Sequence, residues 1–171
     1  MLSDSMCEAL NRQVNAEMYS AYLYQSMAAW ALNQGLKGLA NWMDCQDREE
    51  MVHAFKIYRY VDERNGRVRL TAIDGPPIDW DSPVALAKDV AAHEAKVTAL
   101  INGLVDLAIE ERDHATRSFL NWFVDEQVEE ESGAGEFVQK LELASESPGG
   151  LFMVDREFGQ RVFSPPPAEG E

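Results

Sequence analysis

Four stretches of the chain place apolar residues in steps of three and four, the spacing of one buried helical face. The first runs Met6, Leu10, Gln13, Glu17, Ser20, Tyr24, Met27, Ala31, and the second Leu39, Met43, Gln46, Glu50, His53, Ile57, Tyr60. The third runs Ala87, Val90, Glu94, Val97, Ile101, Leu104, Ala108, and the fourth Leu120, Phe123, Gln127, Glu130, Ala134, Phe137, Leu141. Each predicts a long amphipathic helix with an acidic residue on its core stripe. In the second, Glu50 and His53 stand one turn apart and point the same way.

Start and stop signals bound these helices. Ser3 or Ser5 can cap the first, which runs to about Asn33, where Asn33-Gln34-Gly35 reads as a turn. The second spans about Leu36 to Asn65, with Arg64 in its last turn and Gly66 beyond it. Asp81-Ser82-Pro83 is a cap followed by proline at the first helical position of the third. Glu110-Glu111-Arg112-Asp113 turns the chain into a fourth helix, which starts near Asp113 or His114 and ends at about Ala144; Gly133 and Gly135 permit a bend in it. The predicted bundle thus covers about 4–145. After Ser147-Pro148-Gly149-Gly150, Leu151, Val154 and Phe158 share the face of a short fifth helix, about 149–159. A proline-rich tail, 164–171, is expected to be extended and mobile.

Residues 66–82 make a longer connection than an up-and-down bundle needs. Seventeen extended residues reach about 56 Å, against about 45 Å for a thirty-residue helix. The connection can therefore cross the whole bundle and leave the second and third helices parallel. Within it, Arg67-Val68-Arg69-Leu70-Thr71-Ala72-Ile73 alternates in places like a strand that could pair with a second copy of itself.

Residues equidistant from a hairpin turn lie at equal height. Glu17 and Glu50 have their midpoint in the first turn; Glu94 and Gln127 have theirs beside the second, at the same separation. His53 and Glu130 each follow three residues further on. The chain reads as two hairpins of one design, each presenting polar residues at mid-height. Glu17, Glu50, Glu94 and Glu130 then bring up to four negative charges into a core whose four stripes supply no Lys or Arg. Burying an unpaired carboxylate costs several kcal/mol in practice, on the order of 20 in the idealised limit. Either cations enter or protons stay on. Two divalent ions neutralise four carboxylates, and oxygen ligands with one imidazole suit iron, manganese or, less selectively, zinc. The alternatives are helices rotated to turn these acids to water, and a metal-free structural or binding bundle whose acids are protonated or hydrated.

Length and composition narrow the field. The 171 residues are enough for a single domain with a substantial core, and no apolar run approaches a membrane span. A net charge of −15 argues against nucleic-acid binding and favours the attraction of cations. The N-terminus has neither a basic nor an apolar region, so the cytoplasm is expected. Cys7 and Cys45 fit no CxxC pattern and read as free thiols. Nucleotide-binding loops, Ser-His-Asp arrays and basic patches do not occur. Tyr24, on the first stripe, reads as a hydrogen-bonded core tyrosine or as a ligand-orienting or redox group. Tyr19 and Tyr22 read as facing a packing surface or a partner, Trp42 and Trp122 as packing, and His93 and His114 as surface or interface histidines. Trp30 and Phe163 are candidates for contact with a partner.

Four segments together resemble the non-haem ferritins of bacteria and archaea: Asn15-Ala16-Glu17-Met18-Tyr19-Ser20, Glu49-Glu50-Met51-Val52-His53, Asp79-Trp80-Asp81-Ser82-Pro83 and Glu126-Gln127-Val128-Glu129-Glu130-Glu131. The resemblance covers nearly the whole chain. It implies an all-α, ferritin-like four-helix bundle with a long crossover between the second and third helices and a short C-terminal fifth helix. It further implies a ferroxidase that oxidises Fe²⁺ with dioxygen or peroxide and stores it as ferric oxyhydroxide in a homo-oligomeric cage, usually of two dozen subunits. Two iron ions per centre are implied, the first held by Glu17, Glu50 and His53, the second by Glu94 and Glu130 with Glu50 bridging. Gln127 would orient a ligand, Tyr24 would tune the centre or donate an electron, and Trp122 is a further candidate for electron transfer. A weaker third site is implied at Glu49, Glu126 and Glu129, shared with Glu130. A plain solvated acidic face accounts for those three residues as well as a site does. Gln127-Val128-Glu129-Glu130 stands where a symmetric centre has a second Glu-x-x-His, which argues against bacterioferritin. Met51 occupies the position of the bacterioferritin haem ligand, but no haem is expected.

Overall fold

The computed structural model describes residues 1–164. Five helices follow one another: α1 (Asp4–Asn33), α2 (Lys37–Glu63), α3 (Pro83–Glu110), α4 (His114–Ser145) and α5 (Gly150–Phe158). The tail expected at 164–171 lies outside the described residues after Ser164.

Local chemistry fixes the helix ends. Ser3 Oγ accepts from Met6 N–H at 3.0 Å, Ser82 Oγ from Ala85 N–H at 3.0 Å and Asp113 Oδ1 from Thr116 N–H at 3.1 Å, each satisfying an otherwise unpaired first-turn donor. Ser5 does not cap; its hydroxyl donates to Glu111 at the far end of α3. Gly35 closes α1 at φ +78°, a conformation that glycine adopts without strain. Arg64 caps the end of α2, and its guanidinium donates to both Asp113 oxygens, at 3.2 and 3.1 Å, and to Thr116 Oγ1 at 3.2 Å. It thereby staples the end of α2 to the start of α4. The α4 helix continues unbroken through Gly133 and Gly135.

The alternation at residues 67–73 does not produce a strand, and no strand occurs among the described residues. The backbone carbonyls find partners on α1 instead. Arg67 O accepts from Asn11 Nδ2 at 3.0 Å, Ala72 O from Asn15 Nδ2 at 3.0 Å, and Pro77 O from Ser26 Oγ at 2.6 Å. These contacts climb α1 from its first turns towards its last. At the top Trp80 meets Trp30 edge to face at 6.0 Å, so Trp30 is a buried packing residue rather than a partner contact. Because the crossover travels the length of α1, α3 begins beside the end of α1 and runs antiparallel to it, hence parallel to α2.

All the stripe residues are buried except Tyr60 and Glu130, which are half-buried. The apolar ones divide into two clusters. One surrounds Met6, Leu10, Ile57, Ile101 and Leu120; the other surrounds Tyr24, Met27, Met43, Leu86 and Phe137 and reaches Phe158 of α5. Each buried large side chain contributes about 1.5–3 kcal/mol. A polar layer lies between the clusters at mid-height, and apolar packing on both sides holds it.

Candidate metal centre

All four long helices supply the layer. Glu17 comes from α1, Glu50 and His53 from α2, Glu94 from α3, and Gln127 and Glu130 from α4. Glu17, Glu50, His53 and Glu94 are at most 3 % exposed, so water does not solvate their charges. One oxygen of Glu17 accepts from Gln13 Nε2 at 2.9 Å, while its Oε2 has no hydrogen-bond partner. Oε2 of Glu50 is likewise unpartnered; it lies 3.4 Å from His53 Nδ1 without hydrogen-bond alignment. Ligand atoms from Glu17, Glu50 and His53 all lie within 4.8 Å of one another. Two ligands bound about 2.1 Å from one ion stand roughly 3.0–3.4 Å apart, so the Glu50–His53 spacing suits an ion pair and could also accommodate a shared cation.

Glu94 and Glu130 are held more firmly. Tyr24 donates its hydroxyl to Glu94 Oε1, and Gln127 Nε2 approaches Glu94 Oε2 at 3.4 Å while also donating to Thr98 Oγ1 at 3.1 Å. Gln46 Nε2 donates to Glu130 Oε2 at 3.0 Å. Gln13 and Gln46 thus orient the carboxylates of Glu17 and Glu130, and Thr98 holds Gln127, roles their sequence pattern did not announce, although both glutamines lie on the stripes.

Burial drives the charge state. It pushes Glu50 well above the usual carboxylate range despite His53, raises Glu17 and Glu130, and with the help of Glu130 brings Glu94 up to about 7. Burial disfavours a charged His53, yet the carboxylates of Glu126, Glu50 and Glu17 drive it well above its ordinary value. Tyr24, buried beside Glu94 and Glu50, stays a phenol. A layer of acids in which two oxygens lack partners holds either protons or cations.

A cleft of about 330 Å³ opens from Glu130 between α2 and α4. Glu49, Glu126 and Glu129 line it. Glu126 is half-buried, with Oε1 3.8 Å from His53 Nε2, and ligand atoms of His53, Glu126 and Glu130 also lie within 4.8 Å of one another. Glu129 is exposed. Glu49 is ion-paired at 2.6 Å to Arg161, a residue just past α5 that the helix periodicities gave no reason to single out.

The neighbouring aromatic residues also have defined places. Trp42 stacks on Phe137 at 4.1 Å, and Trp122 presents an edge to His53 at 5.4 Å. Met51 is half-buried and His114 exposed. Among the described residues His93 joins no cluster of ligand atoms, as expected. It is half-buried, Nε2 lies 2.8 Å from Ser20 Oγ, and burial together with Lys96 lowers its pKa to about 4, so it is neutral near pH 7. Cys7 and Cys45 are free thiols.

Two helical hairpins joined by a full-length crossover, with inward-facing carboxylates and an imidazole in one buried layer, define a helical bundle of the carboxylate metal-binding class. The ferritin-like domain family model matches residues 7–144. Bacterial non-heme ferritin of Bacteroides fragilis is 40% identical over 161 residues, spanning 94% of this chain and 100% of that protein. Its counterpart in Staphylococcus aureus is 38% identical over 163 residues, 95% of this chain and 98% of that one. Among solved structures, an engineered closed form of the Archaeoglobus fulgidus ferritin superposes with a TM-score of 0.94 at 50% identity, covering 96% of this chain and 100% of that chain. The open-pore ferritin of the same archaeon gives 0.93 at 50% identity, covering 95% and 100%. The chain belongs to the ferritin family.

Proposed function

We propose that the polar layer is a two-iron ferroxidase centre and that the chain stores the iron it oxidises. Glu17, Glu50 and His53 take one ferrous ion, Glu94 and Glu130 the other, and Glu50 is shared between them. The unpartnered oxygens of Glu17 and Glu50, buried within reach of one imidazole, are the observation that carries this reading. Each ferrous ion gives up one electron, and dioxygen or peroxide accepts the pair. Carboxylate ligands lower the positive charge at the centre and so favour the ferric product. Gln127 and Tyr24 hold Glu94, which leaves Tyr24 placed to tune the centre or to supply an electron. As iron enters, the protons carried by the acids leave, which makes uptake pH-dependent.

Ferric iron then hydrolyses and is deposited as oxyhydroxide inside a cage of this chain, of two dozen subunits in our reading. A weaker third ion sits at Glu49, Glu126 and Glu129, shared with Glu130. A cytoplasmic location, where ferrous iron and oxidants meet, fits this activity, and among the described residues no helix is long and apolar enough to cross a membrane.

The test is aerobic addition of Fe²⁺ to metal-free protein. Near-ultraviolet absorbance should rise rapidly and the iron should remain soluble with the protein. Glu50→Ala should slow the rapid phase at least about a hundredfold, the size of effect expected on removing a shared ligand from a metal centre, while helix content is unchanged. Wild-type kinetics in that variant contradict the assignment.

A further inference from the structure

The cleft beside the centre already contains a cation from the protein. Arg161 follows α5, and its Nη2 donates to Glu49 Oε2 at 2.6 Å, its Nη1 to Trp42 O at 3.3 Å, and its Cζ lies 4.7 Å from the Trp42 ring centroid. The segment is clamped from α2 as well: Asn41 Nδ2 donates to Phe158 O at 3.1 Å and to Arg161 O at 2.9 Å. The pair is sheltered, with Arg161 and Glu49 side chains 27% and 23% exposed, so water screens it less than an ordinary surface bridge. Glu49 cannot hold the guanidinium in this geometry and also turn that oxygen to a metal ion. A metal ion close to the guanidinium would also meet its positive charge.

We propose that Arg161 is a built-in competitor for Glu49: a cation that takes Glu49 as a ligand displaces the guanidinium and loosens the segment following α5. This rests on the assignment of Glu49 to the weaker third site. Cation occupancy and segment seating then oppose each other, and by linkage each weakens the other to the same degree. The C-terminal segment thereby sets how strongly the outer acids compete with the two-iron centre for incoming metal. Zinc, which does not change oxidation state, suits the test.

Zn²⁺ is titrated calorimetrically into the assembled, iron-free protein, into Arg161→Gln and into Glu49→Gln, while amide exchange is followed across residues 155–163. The unmodified protein should show a weak step after the two tight ones, with faster exchange at residues 159–162 as that step saturates. Arg161→Gln should tighten the weak step about tenfold or more, the scale of losing one charge-assisted bond, and Glu49→Gln should abolish or weaken it. Exchange in the unmodified protein carries the test even if a variant does not fold. A weak step that Glu49→Gln removes, but that Arg161→Gln leaves at the same affinity with exchange unaffected, overturns the competition and leaves the third site standing. If Glu49→Gln alters no binding step, the third site falls and the competition with it.

Discussion

Glu50 is the residue on which the proposed centre turns, and its surroundings make a sign-definite prediction about pH. Burial raises Glu17, Glu50 and Glu130, and it lifts Glu94 from an ordinary value near 4.5 to about 7. Above pH 4.5 the unfolded chain releases these protons while the metal-free fold retains them, so each such group costs stability as pH rises. His53 is also raised, and its stabilisation is lost as pH climbs through its folded value. These five shifts act in one direction; His93, lowered to about 4, acts in the other between that value and its ordinary 6.5, one group against five. The thermal midpoint of metal-free protein in chelator should therefore fall from about pH 5 to about pH 8, and saturating Zn²⁺ should reverse the slope, because metal binding requires deprotonated ligands. A metal-free midpoint that rises over that range contradicts the picture. At this scale the sequence showed which acids share a stripe, because helical phase follows from spacing alone. It could not show that Glu94 is held by Tyr24 while Glu17 and Glu50 are left with free oxygens, since that depends on rotamers and on neighbours distant in sequence. The neighbours of His93 were hidden for a similar reason: it lies off the α3 stripe, yet Ser20 and Tyr24 of α1 come up beside it.

The elements are held by contacts more specific than apolar pattern. The fifth helix packs on the start of α2, where Gly38 leaves room for its backbone. A Cβ at Gly38 would lie 1.5 Å from Asp155 O and 2.9 Å from Gly159 N. The Asp155 carboxylate also accepts from Leu39 N–H at 2.8 Å, helping an α2 N-terminus that has no side-chain cap. Gly38→Ala should therefore push α5 away and cost about 1–3 kcal/mol, as overpacking does. It should also release Arg161, while Zn²⁺ affinity at the two-ion centre is unchanged. Urea unfolding and calorimetry check both, and an unchanged urea midpoint would show that α5 does not dock in this way. The four long helices and the crossover could be read from apolar period, caps and connection length. The strand-like run at 67–73 could not be settled locally, because Asn11 and Asn15 of α1 supply the hydrogen bonds that a partner strand would otherwise provide.

For the whole molecule, the balance of charge and surface fits a container for cations. The net charge of −15 favours approach of ferrous ions and keeps the chains apart in solution unless specific contacts offset the repulsion. Such contacts have candidates in the exposed side chains of Tyr22, Phe55, Ile78, Phe152 and Met153, spread over α1, α2, the crossover and α5. The buried layer has the opposite character: four helices converge on acids that no Lys or Arg of the core stripes neutralises. The stability of the apolar clusters is what allows so costly a layer to persist.

The most direct measurement of that convergence is anomalous scattering at the iron absorption edge from crystals soaked anaerobically in Fe²⁺. Two adjacent peaks should lie in the layer, one bounded by Glu17, Glu50 and His53 and the other by Glu94 and Glu130, with Glu50 touching both. An empty layer in crystals that carry iron elsewhere on the protein surface would contradict the account.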